Sequence, residues 1–253
     1  MKTSTRIRQF TRTTGEALRT ILYPPHCQIC DSRIEENEVL CEDCLRTNRA
    51  IEPPFCDICC EPFYGALSGR FSCMNCSDRS FTFEFAIGAW RNRGAVRTLL
   101  HQFKYSKREY LAKPLAHLLL PVLDDERLYE NAEDWTVVPV PLHHRRLRER
   151  GFNQAFEISR HFAAHSGFDF ADPLQRTIYT TSQAQLSRAQ RLQNLRQAFR
   201  VKKSVGKNSY LAGRQVLLVD DVFTTGATTD ACARILRREA GVERVVVLTL
   251  LRG

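Results

Sequence analysis

The chain has 253 residues, of which 43% are hydrophobic, and its 37 Lys+Arg against 28 Asp+Glu give a formal net charge of +9. This length and composition fit one sizeable globular domain plus a small one, and no apolar run approaches the roughly 20 residues that a membrane span needs. The basic excess favours an anionic partner, either a nucleic acid or a phosphorylated small molecule, over a merely basic protein without one.

Residues 1–23 form a basic lead-in. They contain no apolar stretch of the kind that a secretory signal has. Five apolar side chains are spaced so that they would share one face of a helix: Ile7, Phe10, Leu18, Ile21 and Leu22. Two interpretations stay open, a basic helix that remains attached, which we favour, and a mitochondrial presequence.

Residues 24–80 form a cysteine-rich module with an internal repeat. Its cysteines make four Cys-x-x-Cys pairs, two on each side of Pro53-Pro54: Cys27 with Cys30, Cys41 with Cys44, Cys56 with Cys59, and Cys73 with Cys76. Pairs at this spacing beside a cysteine-poor region indicate zinc ribbons in a reducing compartment rather than a secreted disulfide framework. Eight thiolates therefore predict about two closed, structural zinc sites.

The spacing leaves the zinc pairing open. Consecutive pairs would share a metal in a sequential arrangement, and alternate pairs would share one in a crossed arrangement. Cys60 directly follows Cys59 and could replace it, although the x-x spacing favours Cys59. A zinc-dependent enzyme is a poor hypothesis, because four thiolates leave no open coordination position for catalysis.

From residue 81 to residue 253, strand-like and helix-like segments alternate. Apolar runs predict strands at 83–90, 135–140, 216–219 and 245–250, and helical periodicity predicts helices around 96–103 and over 109–123, 153–165 and 229–238. Alternation of this kind predicts an α/β domain with a mostly parallel sheet flanked by helices.

The sharpest motif lies at the end of the third predicted strand. Two adjacent carboxylates, Asp220 and Asp221, precede a Thr/Gly turn that leads into a helix, a context in which backbone N–H groups bind anions. Two carboxylates would repel a bare phosphate, so we expect them to hold ribose hydroxyls or a metal about one sugar's length away. An acidic strand end with a Thr cap is the structural alternative.

This stretch resembles the motif with which type I phosphoribosyltransferases bind phosphoribosyl pyrophosphate (PRPP), and the resemblance implies their fold. It also implies that Asp220 and Asp221 hold the ribose and that the 5′-phosphate is cradled by Thr224, Thr225, Gly226, Ala227 and Thr228. By the same resemblance, pyrophosphate would lie against the loop after the second strand and under a closing loop at 183–194: Pro141, Leu142, His143 and Arg145, with Arg188 and Arg191. These arginines, and both His143 and His144, could equally face solvent.

The chain as a whole resembles the ComF family, the competence-associated amidophosphoribosyltransferase-like proteins. The segments that carry this resemblance are Leu22-Tyr-Pro-Pro, His101-Gln-Phe-Lys104-Tyr105, Val138-Pro-Val-Pro-Leu-His143, and residues 145–154, 185–191, 194–199 and 220–228. It implies a cytoplasmic bacterial protein of natural transformation that handles incoming single-stranded DNA and meets proteins of the DNA-uptake machinery. By analogy, Lys104 is expected to reach pyrophosphate.

Three functional hypotheses remain. The first is a Mg²⁺-dependent phosphoribosyltransferase, which we favour; the others are a module that binds PRPP or DNA without turnover, and a salvage-type phosphoribosyltransferase with an unknown acceptor. Because the sequence ends at Gly253, just past the last strand, any hood over the acceptor is expected to come from residues 81–110 and the zinc module.

Single-stranded DNA is the second expected partner. Basic residues gather at Arg145, Arg146, Arg148 and Arg150, and again at Arg188, Arg191, Arg196, Arg200, Lys202 and Lys203. The zinc module supplies aromatic residues that would stack on bases if they are exposed, and would otherwise pack around the metals: Phe55, Phe63, Tyr64 and Phe71.

Overall fold

The computed structural model describes residues 24–35, 38–65, 69, 71–129, 135–179, 197–203 and 210–253. The basic lead-in and the predicted closing loop with Arg188 and Arg191 lie outside these residues. Within them no helix is both long and apolar enough to cross a membrane.

Six helices and seven strands are named here in chain order. The helices are α1 (Glu42–Arg46), α2 (Gly94–Tyr105), α3 (Ala112–Leu119), α4 (His144–Arg150), α5 (Gln154–Ser166) and α6 (Ala227–Ala240). The strands are β1 (Ala86–Arg91), β2 (Trp135–Pro139), β3 (Asp169–Phe170), β4 (Leu174–Arg176), β5 (Phe199–Val201), β6 (Gln215–Phe223) and β7 (Arg244–Arg252). A short 3-10 turn at Glu109–Leu111 precedes α3, and two more follow it at Leu120–Asp124 and Glu126–Leu128.

Five strands form one parallel sheet in the order β1-β7-β6-β2-β3, and β4 pairs with β5 in a separate antiparallel ribbon. The central strands are apolar on both faces, as a parallel sheet covered on both sides requires. In β6, Leu217 and Val219 face one core, whereas Val216 and Leu218 face the other. The predicted α/β class, with a mostly parallel sheet flanked by helices, is confirmed.

Two predicted boundaries were wrong. Strand β6 runs on through both carboxylates to Phe223, because Asp220, Val222 and Phe223 keep their register with β7. The loop predicted at 141–146 is partly helical, since α4 begins at His144 and carries Arg145 and Arg146. The β4–β5 ribbon was not predicted, because its strands have three residues each and show too little alternation.

The cysteine module consists of two similar ribbons, named here ribbon 1 (residues 25–46) and ribbon 2 (residues 54–77). In each, the N–H of the residue after the second cysteine donates to the carbonyl of the first, from Asp31 to Cys27 and from Cys60 to Cys56. Asp31 and Cys60 have φ of 62° and 57°, the left-handed conformation that closes the turn. The internal repeat of the sequence is thus a repeat of backbone geometry.

The ribbons pack against opposite faces of the sheet. The buried Cys27 and Cys44 of ribbon 1 join the core that contains α2, α3 and α5, whereas the four ligands of ribbon 2 join the core that contains α6. The two small modules are therefore not a tandem extension of the chain. They lie on the two sides of β1.

Candidate functional site

The predicted acidic pair lies at the carboxyl end of β6. Lys104, on the last turn of α2, places its Nζ 2.9 Å from Asp221 Oδ2, and both side chains are mostly buried. The N–H of Asp221 donates to Asp220 Oδ1 at 2.9 Å. The structure thus brings together three of the residues predicted to hold the ligand, although Lys104 is far from Asp220 and Asp221 in the sequence.

The environment of the pair makes Asp220 a weak acid. Burial, and then the charge of Asp221, raise the pKa of Asp220 from 3.8 to about 7, while the N–H of Asp221 opposes the shift. The two carboxylates follow one another at the end of the strand, and each offers acceptors to a hydroxyl donor or a cation. A perturbed carboxyl at the end of a parallel strand is a recurrent property of functional sites.

The turn after β6 presents residues 224–226 at the N-terminus of α6. Gly226 caps this helix with φ of 73°, and a Cβ there would lie 2.7 Å from the Phe223 ring and 3.1 Å from that of Phe81. Glycine is therefore required both by conformation and by space. Thr224 and Thr225 are exposed, and Ala227 and Thr228 are half-buried.

Ribbon 2 and the chain that follows it support the turn from behind. Arg79 donates to the Thr225 carbonyl at 3.0 Å, and its guanidinium lies 4.8 Å from the Phe81 ring centroid. The N–H of Thr82 donates to Asp230 Oδ1, on the first turn of α6, at 2.6 Å. The expectation that residues 81–110 and the zinc module build part of the site stays a prediction, and these contacts are consistent with it.

The loop predicted to hold pyrophosphate lies between β2 and α4. Pro141 is buried and Leu142 is half-buried. His143 is buried, so the solvent-facing alternative is wrong for this residue: its Nδ1 accepts the N–H of Arg145 at 3.2 Å and caps α4. Burial, reinforced by the nearby charges of His144 and Arg176, lowers the pKa of His143 and favours the neutral ring that accepts this bond.

Helix α4 carries the predicted basic cluster. His144, Arg145 and Arg148 are exposed, and Arg146 and Arg150 are half-buried. Two of these guanidinium groups lie over aromatic rings, Arg145 at 4.7 Å from Tyr179 and Arg150 at 5.3 Å from Tyr105. These aromatic partners were not predicted, since the sequence analysis placed the aromatic platforms in the zinc module.

Sequence reasoning missed two arginines near the strand end, the buried Arg252 and the half-buried Arg176. Arg252 ends β7 and contacts both ribbon 2 and Thr224, at the start of the turn after β6. Arg176 ends β4, lies 5.4 Å from the Phe199 ring centroid, and is close enough to Asp220 for the two charges to influence each other. No local signal marks either one, because each side chain acts on residues that are remote in the sequence.

The zinc ligands form two separate tetrads. One contains Cys27, Cys30, Cys41 and Cys44, the other contains Cys56, Cys59, Cys73 and Cys76, and in each the four sulfur atoms lie within 4.8 Å of one another. The arrangement is therefore sequential, and the crossed alternative is wrong. Cys60 belongs to neither tetrad, because the left-handed turn takes it out of the ligand set.

The donor sets fit zinc. Four thiolates without a fifth ligand match a closed structural site. Backbone N–H groups point at the sulfur atoms in both tetrads, from Cys44 to Cys41 Sγ and from Cys73 to Cys56 Sγ, at 3.4 Å each. Such donors stabilise the negative charge of a metal-bound thiolate, so zinc holds the ribbons together and takes no part in a reaction.

The chain is similar to a family of known domains and to two solved structures. The family described as "Double zinc ribbon domain" matches residues 18–77. Two solved structures that resemble the chain are an allosteric regulatory enzyme of purine biosynthesis (24% identity, TM-score 0.33) and glutamine PRPP amidotransferase from B. subtilis (23%, TM-score 0.31). The similarity covers 57% and 56% of this chain, and this chain spans about a quarter of either solved chain.

Curated relatives match over most of their length. Competence protein F of Haemophilus influenzae is 32% identical over 85% of this chain and 90% of its own. DNA utilization protein YhgH of Escherichia coli K12 is 32% identical over 84% and 90%, and Competence protein ComFC of Streptococcus pneumoniae is 26% identical over 89% and 87%. Such identity over nearly the full length of both proteins shows that this chain belongs to the competence protein F family.

Proposed function

We propose that the chain binds PRPP, together with Mg²⁺, at the carboxyl end of β6. The observation that carries this proposal is that two consecutive carboxylates at the end of β6 are joined to a glycine-capped helix N-terminus by one short turn. Carboxylates suit the 2′- and 3′-hydroxyls of ribose, and the turn suits the 5′-phosphate of the same sugar. Neither half of the site would suffice for the whole ligand.

Each residue then has a separate task. Asp220 and Asp221 accept the ribose hydroxyls, and residues 224–228 surround the 5′-phosphate. Lys104 lies 2.9 Å from Asp221 and would supply positive charge close to the bound ribose, where pyrophosphate leaves. Mg²⁺ would neutralise the charge that builds on departing pyrophosphate.

The pyrophosphate itself is assigned to the segment from β2 to α4. Pro141 and Leu142 shape the loop, the buried His143 fixes the start of α4, and Arg145 supplies charge from its first turn. Arg188 and Arg191 are assigned to the loop that closes over the reaction and excludes water. His143 acts here by position, because its ring nitrogen is engaged with the backbone.

The names of the relatives supply the cellular context. They are called competence protein and DNA utilization protein. We therefore place this chain in bacterial DNA uptake and natural transformation, in the cytoplasm, where it would meet other proteins of the uptake machinery. Phosphoribosyl transfer to an acceptor is the favoured activity, and PRPP binding without turnover is the alternative.

Calorimetry with PRPP and Mg²⁺ tests the binding proposal. The double variant Asp220→Asn with Asp221→Asn should abolish binding, because amides lose the charge and half of the acceptors that the hydroxyls need. A matched control, Asp169→Asn with Asp172→Asn, removes the same charge near the edge strand β3 and should leave affinity unchanged. Equal affinity in the two double variants would disprove the assignment.

A second measurement separates transfer from binding. Wild-type protein is incubated with PRPP, Mg²⁺ and a panel of bases, amines and DNA single strands, and pyrophosphate release is followed. Release that depends on one acceptor and disappears in the Asp220/Asp221 variant establishes a transferase. Tight binding without release from any acceptor supports the non-catalytic alternative.

Single-stranded DNA binding is a second candidate function. Its support is two pairs of a helix α4 cation with a ring: Arg145 with Tyr179, and Arg150 with Tyr105, which is 60% exposed. Cations that follow a backbone and rings on which bases stack are the two parts of a non-specific single-strand site. Of the aromatic residues predicted in the zinc module, Tyr64 is exposed, whereas Phe63 and Phe71 pack together at 4.8 Å.

Salt dependence tests this candidate. Binding to an oligonucleotide should weaken as salt rises, with a log–log slope of about −0.7 for each phosphate contact. Replacing Arg145, Arg146 and Arg148 by Gln should flatten the slope by about two units. Glu149→Gln on the same helix serves as a control and should not flatten it. Affinity that is insensitive to salt would rule out this surface.

A further inference from the structure

Arg252, the last residue of β7, is a buried charge that joins three segments of the chain. Only 5% of its surface is exposed. Its Nε donates to the Cys59 carbonyl at 2.8 Å, and one terminal nitrogen lies 3.3 Å from Cys59 Sγ. The other terminal nitrogen donates to the Thr224 carbonyl at 3.2 Å and to the Phe223 carbonyl at 3.4 Å.

The energetics of this side chain depend on ribbon 2. A buried guanidinium is unfavourable unless charge and hydrogen bonds compensate for lost hydration. Glu61 of the same ribbon lies 2.5 Å from the guanidinium, and four zinc-bound thiolates around one Zn²⁺ would carry a further excess of negative charge. The metal site and the arginine therefore stabilise each other.

The same guanidinium orients the turn at residues 224–228, which we propose binds the 5′-phosphate and name the phosphate turn. In a trans peptide unit the carbonyl of one residue and the N–H of the next point in opposite directions. Arg252 holds the carbonyls of Phe223 and Thr224, and Arg79 holds that of Thr225. The N–H groups of Thr225 and Gly226, which share peptide units with the Thr224 and Thr225 carbonyls, consequently point away from these two guanidinium groups.

We infer that Arg252 is a positioning residue that couples the second zinc site to the phosphate turn. Zinc orders the Cys59 turn, Cys59 and Glu61 hold the guanidinium, and the guanidinium fixes the peptide planes that would face the phosphate. The consequence for affinity rests on the proposed PRPP site. The coupling itself does not, since the order of the turn is measurable without PRPP.

Zinc content, PRPP affinity and hydrogen exchange are measured on the full chain. Exchange is followed at the two backbone amides that donate to carbonyls of the turn, Gly253 to Phe223 at 2.9 Å and Asp230 to Gly226 at 2.8 Å. Arg252→Met should speed exchange of these amides about tenfold, as expected for the loss of a hydrogen bond to a charged group, and weaken PRPP by a similar factor. Arg252→Lys keeps the charge with fewer donors and should lie between it and wild type. Arg244→Met, at the other end of β7, removes an arginine that contacts Glu84 and should leave the turn unaffected.

A zinc-site variant tests whether the metal acts on the turn through Arg252. Cys59→Ser should speed exchange of the Gly253 and Asp230 amides as Arg252→Met does, and combining the two should add little, since both break the same connection. The inference is overturned if exchange at the turn is unchanged in Arg252→Met and Arg252→Lys, or equally fast in Arg244→Met. If wild-type protein does not bind PRPP, the proposed function fails, while the exchange data still decide the coupling.

Discussion

Ribbon 1 and ribbon 2 share one backbone design but differ in how the rest of the chain covers them. All four ligands of ribbon 2 are buried, whereas in ribbon 1 Cys30 is exposed and Cys41 is half-buried. Ribbon 1 packs on the face of the sheet that carries α2, and ribbon 2 packs beside the phosphate turn. A repeated motif has thus acquired two roles from two environments.

The two attachments also differ in chemistry. Ribbon 1 is held by a neutral side chain: Asn48 accepts the N–H of Val96 at 2.9 Å and donates to the carbonyls of Cys44 and Leu45. Ribbon 2 is held by charged ones, Arg252 and also Arg127, which donates to the Asp57 carbonyl at 2.8 Å and lies over the Phe85 ring. Buried charges are sensitive to their partners, so disturbance of ribbon 2 should spread further.

The largest expected difference is between equivalent cysteines of the two ribbons. Cys59→Ser should lower Tm by more than about 10 °C, because structural zinc supplies folding energy and this ligand is buried. Cys30→Ser, at the exposed equivalent position, should lower Tm less. Elemental analysis should give two zinc ions in wild type and about one in each variant. Equal falls in Tm in the two variants would show that burial of the cysteine by the rest of the chain does not affect how much each zinc site stabilises the fold.

The attachment of ribbon 1 should have an intermediate effect. Asn48→Ala leaves the N–H of Val96 without its acceptor, and loss of a buried hydrogen-bond partner costs about 1–3 kcal/mol. For a chain of this size that corresponds to a fall in Tm of roughly 3–10 °C. Zinc content and PRPP affinity should stay unchanged, which calorimetry can check. A fall in PRPP affinity would show that ribbon 1 also influences the proposed PRPP site, and would contradict the expected difference between the two ribbons.

The acidic end of β6, beside ribbon 2, is where a substitution should raise Tm instead of lowering it, and only at high pH. Asp220 has a folded-state pKa of about 7 against 3.8, so between these values the folded state keeps a proton that the unfolded state has released. Stability therefore falls as pH rises through this window. Asp220→Asn removes the effect and should raise Tm by about 2–4 °C at pH 8, with no gain near pH 4.

Thermal unfolding at both pH values checks this expectation. Asp169→Asn is the control, because Asp169 is an exposed carboxylate paired with Arg214 at 2.6 Å and should give no gain at pH 8. A gain for Asp220→Asn that is the same at both pH values would mean that packing, and not titration, causes it.

The smallest expected effect concerns a surface contact of ribbon 1. The Tyr110 hydroxyl donates to Gln28 Oε1 at 3.1 Å, but both groups are exposed to water. Tyr110→Phe should therefore change stability by less than about 0.5 kcal/mol. Denaturant unfolding has the resolution to test this. A change as large as that of Asn48→Ala would mean that ribbon 1 is attached mainly through its surface.

The sequence by itself determined the features whose groups are close along the chain. Ligand spacing identified the eight cysteines, and alternation of strands and helices predicted the parallel α/β class. The pattern of apolar strand, acidic pair, glycine and helix predicted the turn between β6 and α6, where we propose that phosphate binds. In each case the physical cause is local: a chelate turn of a few residues, a helix N-terminus, or the period of a strand.

Tertiary structure alone decided the rest. The sequential zinc pairing, the burial of His143, the ion pair of Lys104 with Asp221 and the contacts of Arg252 all depend on which segments meet. Arg252 reaches Cys59 across 193 positions of sequence, and its neighbours along β7 are ordinary core residues. No local pattern encodes such a contact, because its free energy comes from burial and charge compensation that exist only once sheet, turn and ribbon are assembled.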